Sequence, residues 1–294
     1  MKKIQFRFEI TLIIFIVLVS PVYGAFENIN YGARSLGMGS AFVSVADDAN
    51  SIFNNPAGII RTNQSELGMS YMELYGLVSY SSLSYIQKVK DNGFGIGIIS
   101  SDDKDGVYQE AEAILAYSRQ IAKNLNFGAN IRYLSSHAYF DEIRVGNGKG
   151  IAIDLGSQFL LPDKGLSFGI GLHSPVGIVF YSRKALLGYG EKKYSQMTDF
   201  YYNIGASWDL AKKFSNLEKL LLTGELSDGY PCFGAEWTYA NMISIRSGIR
   251  FGNSLNRALT MGLGFKLSLI KIDYAYISSS VEADTSQISV SVNW

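Results

Sequence analysis

Residues 257–269 read RALTMGLGFKLSL, and this stretch decides the fold. Every second side chain from Leu259 to Leu269 is large and apolar, whereas the side chains between them are small, polar or charged. Because successive side chains of a β-strand point to opposite faces, a period of two predicts a strand with one apolar and one polar face. The same division recurs in three further segments, which are 125–133, 243–251 and 288–294. The sequence therefore predicts a protein built largely of amphipathic strands.

The length and composition of these segments indicate that their apolar face contacts lipid. They run for about ten residues, which a tilted strand needs to cross a bilayer, whereas soluble strands average about five or six. Their polar face carries glycines and charged side chains, as a lumen would, and aromatic side chains concentrate near segment ends, where they suit the membrane interfaces. A soluble β-sandwich also alternates, so alternation by itself leaves that alternative open.

Counting the segments predicts about fourteen strands between residues 64 and 294, an even number, as bacterial barrels have. Barrels of this kind join their strands by short turns at one end and by longer loops at the other. The connections follow this alternation, and the predicted long loops are 101–109, 137–148 and 174–198. The predicted fold class is therefore all-β, a transmembrane antiparallel β-barrel of about fourteen strands.

The charge balance and the rarity of reactive side chains exclude several other classes. The chain of 294 residues has 26 basic and 26 acidic side chains, so no field of one sign favours nucleic acid as a partner. The single cysteine, Cys232, cannot form an intramolecular disulfide. There are two histidines, His137 and His173, and no Ser, His and acid arrangement that spacing could support. We therefore expect no metal site, no cofactor and no enzymatic activity.

Residues 1–24 have the layout of a secretory signal peptide. A positively charged start is followed by an apolar run, 10–19, and by small residues near Gly24. Cleavage after Gly24 is predicted, so the protein is expected to be exported. The alternative is an uncleaved membrane anchor, which the short apolar run disfavours because a membrane-spanning helix needs about 20 residues.

The segment before the first strand, 26–61, breaks the period of two and reads FENINYGARSLGMGSAFVSVADDANSIFNNPAGIIR. It is too long for an idle connection in a compact domain. A fourteen-stranded barrel also has a lumen that the side chains of its wall do not fill. We therefore predict that residues 25–63 fold inside the barrel as a plug, and that the barrel itself comprises residues 64–294.

Several residues of this segment are expected to shape the plug. Pro56 should force the residue before it into an extended conformation, and two adjacent aspartates should cap a short helix near 49–53. Two glycines allow a close approach of the backbone to the barrel wall. The candidate plug motif consists of Gly37, Gly39, Asp47, Asp48, Asn54, Asn55, Pro56, Ala57 and Gly58.

The order of these residues resembles the amino-terminal signature of the FadL superfamily, and most closely that of its PorV/PorQ branch. The resemblance is carried by 32–34, 37–39, 46–49 and 54–58. It implies a fourteen-stranded barrel in the bacterial outer membrane, with a plug. The chain departs from the family pattern in two ways. Many members have an aromatic residue directly before Asn-Pro-Ala, whereas this chain has Phe53-Asn54-Asn55. The chain is also short, which implies reduced outer loops.

The resemblance also implies a function. The first hypothesis is passive uptake of small hydrophobic molecules such as long-chain fatty acids, with no covalent chemistry. The alternative is a component of the type IX protein secretion system, similar to PorV or PorQ, whose partners would be secretion-system proteins. A barrel with only a structural role is a third possibility.

Four residues of the barrel are candidates for contacts with other molecules. Arg132, Arg246 and Arg250 fall on the predicted polar face, where a guanidinium could hold a ligand carboxylate. Their alternative role is to pair with acidic side chains of the lumen and plug. Trp294 ends the chain with an aromatic residue, as expected of substrates of the outer-membrane assembly machinery. Outer-membrane lipid is the expected partner of the apolar face.

Overall fold

The computed structural model describes residues 26, 29, 31–184, 190–212, 218–252, 257–280 and 283–294. The predicted signal peptide, 1–24, lies outside the described residues. None of the helices in these ranges has the length and apolarity needed to cross a bilayer.

Within the described residues, fifteen β-segments pair with antiparallel neighbours into one closed sheet. Their bounds are β1 Glu66–Leu74, β2 Val78–Val89, β3 Asn92–Asp103, β4 Tyr108–Ala122, β5 Leu125–Phe140, β6 Ile143–Leu161, β7 Leu166–Arg183, β8 Lys192–Met197, β9 Tyr201–Asp209, β10 Leu220–Ser227, β11 Tyr230–Tyr239, β12 Ile243–Phe251, β13 Arg257–Leu267, β14 Ile270–Ser279 and β15 Thr285–Asn293. Pairing of β15 with β1 closes the sheet.

One barrel position is shared by two segments. The first part of β7, 166–173, pairs with β9, and its last part, 178–183, pairs with β8. Residues 198–200 separate β8 from β9. Fifteen segments thus occupy fourteen positions, which confirms the predicted antiparallel barrel of fourteen strands.

The two ends of the barrel differ. At the end that we call the terminal end, the chain enters β1 and finishes at Trp294. The backbone of Trp294 exchanges two hydrogen bonds with that of Ser65, and its ring stacks on Tyr85. Five connections at this end are short turns, as predicted: 90–91, 123–124, 162–165, 240–242 and 268–269. The connection between β9 and β10, 210–219, is longer. We call the opposite end the far end.

Two predicted far-end loops are wrong. Most of 137–148 is a hairpin of β5 and β6 with a two-residue turn, Asp141–Glu142, and much of 174–198 belongs to β7 and β8. In β7 the period of two continues through the outward Val176, Ile178 and Phe180, and the polar residues nearer each turn do not interrupt the backbone hydrogen bonds between strands. These hairpins form a tall wall, which we define as β4 to β8, and its strands β4–β7 run for 15 to 19 residues.

The outward and inward faces of the whole barrel differ in polarity and exposure. On β13 the outward side chains are largely exposed, with Met261 at 65% and Phe265 at 56%, whereas the inward Thr260 is at 2%. Large apolar side chains are exposed in this way on strands all around the barrel. An exposed apolar surface of this extent is typical of contact with lipid and not of a soluble monomer.

Residues 31–62, which we call the inner segment, are almost entirely buried. They contain helix α1 (Ala33–Gly37), helix α2 (Ser51–Asn54) and a 3-10 helix (Pro56–Arg61). Helix α1 contacts β12 to β15, whereas the 3-10 helix contacts β2 to β6 on the other side of the barrel. The inner segment therefore lies in the lumen and reaches from wall to wall.

Candidate functional site

The Asn55-Pro56 step ties the inner segment to the tall wall. Asn55 has an extended backbone, with φ −160° and ψ 102°, and its Oδ1 accepts a hydrogen bond from the Ala57 N–H at 3.1 Å. Its Nδ2 donates to the carbonyls of Val43 and Ser157 at 2.8 and 3.1 Å. A side chain at Gly156 would overlap Asn55. The step therefore lies against β6, where the Asn55 side chain donates a hydrogen bond to the Ser157 carbonyl.

Gly37 and Gly39 of the inner segment pack against the opposite side of the barrel, which strands β11 to β13 form. Gly39 has φ +66°, a region that glycine adopts without strain, and an added Cβ would clash with the backbone of Ile249. Its N–H donates to Thr260 Oγ1 at 3.0 Å, and that hydroxyl donates to the Gly37 carbonyl at 3.1 Å. These contacts fix the backbone of the inner segment on this wall.

Asp47 and Asp48 belong to a charge network. Of the two, only Asp48 accepts a backbone hydrogen bond near the start of α2 in the described residues, so the predicted helix capping is found in part. Asp48 accepts from the Asn50 N–H at 3.0 Å, just before α2, but both carboxylates also bind Arg34 Nη1, at 2.6 Å from Asp47 and 3.0 Å from Asp48. Burial alone raises the pKa of Asp47, but Arg34 and Arg61 outweigh it and hold that pKa well below its ordinary value.

The network continues into the barrel wall through Glu236. Its carboxylate lies 2.9 Å from Arg34 Nε and 2.7 Å from Arg246 Nε, and Arg246 Nη1 reaches Asp273 at 2.8 Å. Arg246 and Glu236 are both buried. Since each guanidinium is bound by at least two carboxylates, the network can stabilise the inner segment without any ligand.

Of the three candidate arginines, Arg250 lines one of the two cavities of the described residues that are presented below, and Arg132 and Arg246 line neither. Arg132 lies beside Glu112 and Asp154, at 3.5 and 3.8 Å, and Arg246 is committed to the network above. Arg250 is half-buried, and in the described ranges it forms no ion pair. The structure thus does not bring the three arginines together.

Arg250 lines a cavity of about 160 Å³ at the far end, which we call the far-end cavity. Most of its wall comes from the ends of β1 and β12 and from β13 to β15. Its lining residues are Leu74, Tyr75, Arg250, Phe251, Gly252, Ala258, Ile277, Ser279, Ala283 and Thr285. The cavity combines apolar side chains with hydroxyl groups and one guanidinium, a combination that suits a compact apolar molecule carrying an acidic or polar group.

A second cavity of about 200 Å³, the terminal cavity, opens near the other end. Its lining residues are Val45, Asp47, Arg61, Leu160, Pro162, Gly165, Leu166, Ser167, Ser207, Asp209, Lys219 and Leu221. The inner segment contributes three of these, so it forms part of the cavity wall. These two cavities of the described residues thus lie near opposite ends of the barrel, and the inner segment lines the terminal one.

Sequence reasoning missed two wall carboxylates that hold the inner segment. Glu225 Oε2 accepts from the N–H groups of Phe42 and Val43 at 2.7 and 2.8 Å, and Glu236 binds Arg34. The available signal was a carboxylate on the polar face of a predicted strand. The partners lie more than 180 residues away in sequence, so the pattern could place these carboxylates in the lumen but not pair them.

The comparisons with known proteins found similar folds among solved structures, but no matching family model or curated protein. Among solved structures, the toluene transporter TodX of P. putida superposes with a TM-score of 0.66 at 14% identity, covering 91% of this chain and 99% of that one. The toluene transporter TbuX of Ralstonia pickettii gives 0.61 at 13%, covering 92% and 98%, and a Pseudomonas aeruginosa FadL homologue gives 0.62 at 10%, covering 90% and 98%. The chain therefore shares the fold of these transporters and of this FadL homologue.

Proposed function

We propose that this protein is a FadL-type channel of the bacterial outer membrane, through which small hydrophobic molecules pass without covalent chemistry. The observation that carries the proposal is the far-end cavity, which combines apolar side chains with hydroxyl groups and one guanidinium at the mouth of a membrane-type barrel. The structural neighbours described as toluene transporters support a ligand of this kind.

The exposed apolar face supports a membrane position, and the strand ends suggest an orientation. Outer-membrane barrels place their short turns in the periplasm and their longer hairpins outside the cell. The terminal end, with its short turns and Trp294, would then face the periplasm, and the tall wall would extend outwards. Trp294 at this end suits recognition by the assembly machinery. In the same scheme, residues 25–63 act as the plug that closes the axial route.

The size of the far-end cavity favours compact ligands. Its volume, about 160 Å³, is close to the roughly 150 Å³ of an apolar cavity that binds benzene. A molecule with one aromatic ring would fit within it, whereas a long-chain fatty acid would extend beyond it. Among the hydrophobic molecules expected from the resemblance, the ring-sized ones are therefore the first to test.

Uptake of labelled toluene by cells with and without the gene tests the proposal. We expect faster uptake with the gene, and equal rates would contradict it. Ala258→Trp should abolish the difference because Ala258 lines the cavity. Ala129→Trp is the matched control, since Ala129 lies on the outward face of β5 in the period of two, and it should leave uptake unchanged.

Arg250 is the proposed contact for an acidic group of the ligand. Binding of benzoate and of benzyl alcohol to purified protein in detergent would test this role. A hydrogen bond to a charged group is worth about 1.5–3 kcal/mol, so Arg250→Ala should weaken benzoate binding by roughly tenfold or more and leave benzyl alcohol nearly unaffected. If Arg250→Ala weakened the binding of benzoate and of benzyl alcohol equally, Arg250 would not bind the ligand carboxylate.

The PorV/PorQ-like role in type IX secretion stays a prediction. It requires a surface that docks other proteins, and copurification with secretion-system proteins would support it. Normal protein secretion in cells that lack the gene would remove it.

A further inference from the structure

The outer surface of the tall wall changes character towards the far end. On β7 the outward side chains of Ile178 and Phe180 are 40% and 61% exposed, whereas Val179 between them is buried. The next outward position of β7 is occupied by a hydroxyl group, that of Ser182. The outer surface of the wall therefore has a boundary, with apolar side chains on one side and polar side chains on the other.

Polar and basic side chains of three neighbouring strands meet at this boundary. Lys149 of β6 lies opposite Phe180, and paired residues of neighbouring strands share a face of the sheet. In the next outward row, Ser182 lies between Asn147 of β6 and Lys193 of β8. Asn147 Nδ2 donates a hydrogen bond to Ser182 Oγ at 2.7 Å, and both lysines are exposed. We call these five residues the rim patch.

The position of Lys149 along its strand places the rim patch at the level of lipid headgroups. Lys149 precedes Leu161, the last residue of β6 at the terminal end, by twelve residues. With a rise of about 3.4 Å per residue and a strand tilt of about 40°, these residues span roughly 30 Å along the membrane normal. The apolar band of an outer-membrane barrel is about 25 Å tall. The rim patch therefore begins just outside the hydrocarbon, where the phosphate and sugar groups of lipids lie.

The charge of the far end is uneven, and the rim patch lies on its basic side. Residues 178–195 contain four basic side chains and one acidic side chain, whereas residues 100–110, at the tip of β3 and β4, contain four acidic side chains and one basic one. The acidic residue of the first range, Glu191, pairs with Lys193 at 3.1 Å, but this pair is largely exposed and is therefore weak. This side of the far end thus favours an anionic partner.

Strand β8 is braced from its inward side, which fixes the backbone that carries Lys193. The rings of Tyr194 and Tyr181 stack with their centroids 5.1 Å apart, and Lys192 Nζ lies 5.9 Å from the centre of the Tyr194 ring. Binding groups that are already positioned lose less conformational entropy when a ligand binds. The rim patch therefore presents its basic and polar groups on a preorganised surface.

We propose that the rim patch binds the phosphorylated saccharide headgroup of a glycolipid in the outer leaflet. Its two lysines bind phosphate oxygens, its amide and hydroxyl groups form hydrogen bonds with the sugar, and the Phe180 ring packs on a sugar face. The acyl chains then continue along the exposed apolar side chains next to the patch, such as Ile178 and Met197. This continuity with the lipid-facing surface favours a lipid over a soluble anion. The proposal rests on the orientation given under the proposed function, in which the tall wall extends outwards, but not on the transported ligand.

Native mass spectrometry of the purified protein in a neutral detergent, titrated with lipid A, tests the rim patch. Lipid A is a glycolipid with two phosphate groups, and its dephosphorylated form is the comparison ligand. We expect the wild type to bind the phosphorylated form more tightly. Lys149→Gln/Lys193→Gln should weaken that binding by about thirtyfold, since each lysine near an anionic lipid surface contributes about fivefold. Binding of the dephosphorylated form should stay unchanged in this variant.

The matched control is Lys90→Gln/Lys123→Gln, which removes the same charge from exposed lysines in two turns of the terminal end. This control should bind lipid A like the wild type. Lys149→Arg/Lys193→Arg should also retain binding, because the positive charge is kept. Equal losses in the two glutamine variants would show a general attraction of charge and would overturn the rim patch. Equal binding of the two forms of lipid A to the wild type would overturn it as well.

Folding and the proposed function are tested apart from the rim patch. Heat-dependent migration in gels confirms that each variant is folded, and Lys193→Gln alone, with an expected loss of about fivefold, replaces the double variant if that one fails to fold. Neither lysine lines either cavity described above, so Lys149→Gln/Lys193→Gln should take up toluene like the wild type. Tight lipid A binding without toluene uptake would contradict the proposed function alone. Normal uptake without a preference for the phosphorylated lipid would contradict the rim patch alone.

Discussion

Two walls of the lumen hold the same inner segment by different physical means. Towards β2 to β4, contact is apolar, with Ile52 and Ile59 of the segment buried against Ile86, Ile99 and Ile114. Towards β10 to β14, charges and hydrogen bonds are added to apolar contacts: Glu236 binds Arg34, and Glu225 accepts from two backbone N–H groups of the segment. Arg246 and Asp273 extend this network within the wall.

The difference between these walls teaches which contacts set position and which add stability. Apolar burial stabilises the folded state but has little directional preference. A buried carboxylate between two guanidiniums tolerates small displacements poorly, because an unpaired buried charge is costly. We call β10 to β14 the charged wall and β2 to β4 the apolar wall. We infer that the charged wall fixes the position of the inner segment, whereas the apolar wall adds to its stability.

The largest expected effect comes from removing the carboxylate at the centre of the charged wall. Glu236→Ala leaves Arg34 and Arg246 buried without their shared partner, and breaking a buried pair in this way costs about 3–5 kcal/mol. Urea unfolding in lipid vesicles would measure it, and hydrogen exchange should become faster at the amides of 33–43. The matched control is Glu191→Gln, whose exposed pair with Lys193 should contribute less than about 1 kcal/mol. Equal losses in the two variants would refute the importance of the charged wall.

A substitution on the charged wall that changes no charge should have the next largest effect. A Cβ at Gly248 would overlap the backbone of Met38 and Gly39, and overpacking of this kind costs about 1–3 kcal/mol. Gly248→Ala should therefore lower the free energy of unfolding, as measured by the same urea titration. Gly76→Ala is an unpacked control, since no atom lies within 4 Å of an added Cβ there, although its φ of +69° adds a smaller local strain. If Gly76→Ala costs as much, the fit of the inner segment to this wall is not tight.

On the apolar wall, small deletions should be tolerated. Ile59 is fully buried, and Ile59→Val removes one methylene, which costs about 0.5–1.5 kcal/mol. Hydrogen exchange in the inner segment should keep the wild-type pattern because no directional contact is lost. If the amides of the inner segment exchanged as fast in Ile59→Val as in Glu236→Ala, the proposed difference between the two walls would be contradicted.

The smallest effect is a pH dependence carried by Asp47. Its pKa is lowered in the folded protein, so its stabilising contribution is present above the unfolded pKa of about 4 and is lost as the pH falls through the folded value. Asp47→Asn should lower stability by roughly 0.5–1 kcal/mol at neutral pH, since the pair is partly exposed. The difference from the wild type should stay constant between about pH 8 and pH 5 and shrink below about pH 4. A difference that grows on acidification would contradict this assignment.

The sequence predicted the barrel better than it predicted the site. The predicted segment 243–251 coincides with β12, and 125–133 lies within β5, because one apolar face per strand imposes a clear period of two. The loops predicted at 137–148 and 174–198 begin too early. The period of two continues through the outward Val176, Ile178 and Phe180, and polar residues nearer the turns do not break the backbone pairing.

Prediction of the site was limited by contacts distant in sequence. Arg132, Arg246 and Arg250 were placed on the inward face from alternation alone. Which of them is free for a ligand depends on partners such as Glu236 and Asp273, and a strand pattern carries no information about these pairs. The role of Arg34 was likewise hidden, since its wall partner lies 202 residues away.

The most direct test is a structure of the protein determined with benzoate in excess. We expect the benzoate ring to lie in the far-end cavity against Ala258 and Ile277, with its carboxylate at Arg250. Benzoate bound only on the outer surface of the barrel, or a far-end cavity left without it at saturation, would contradict the proposed function.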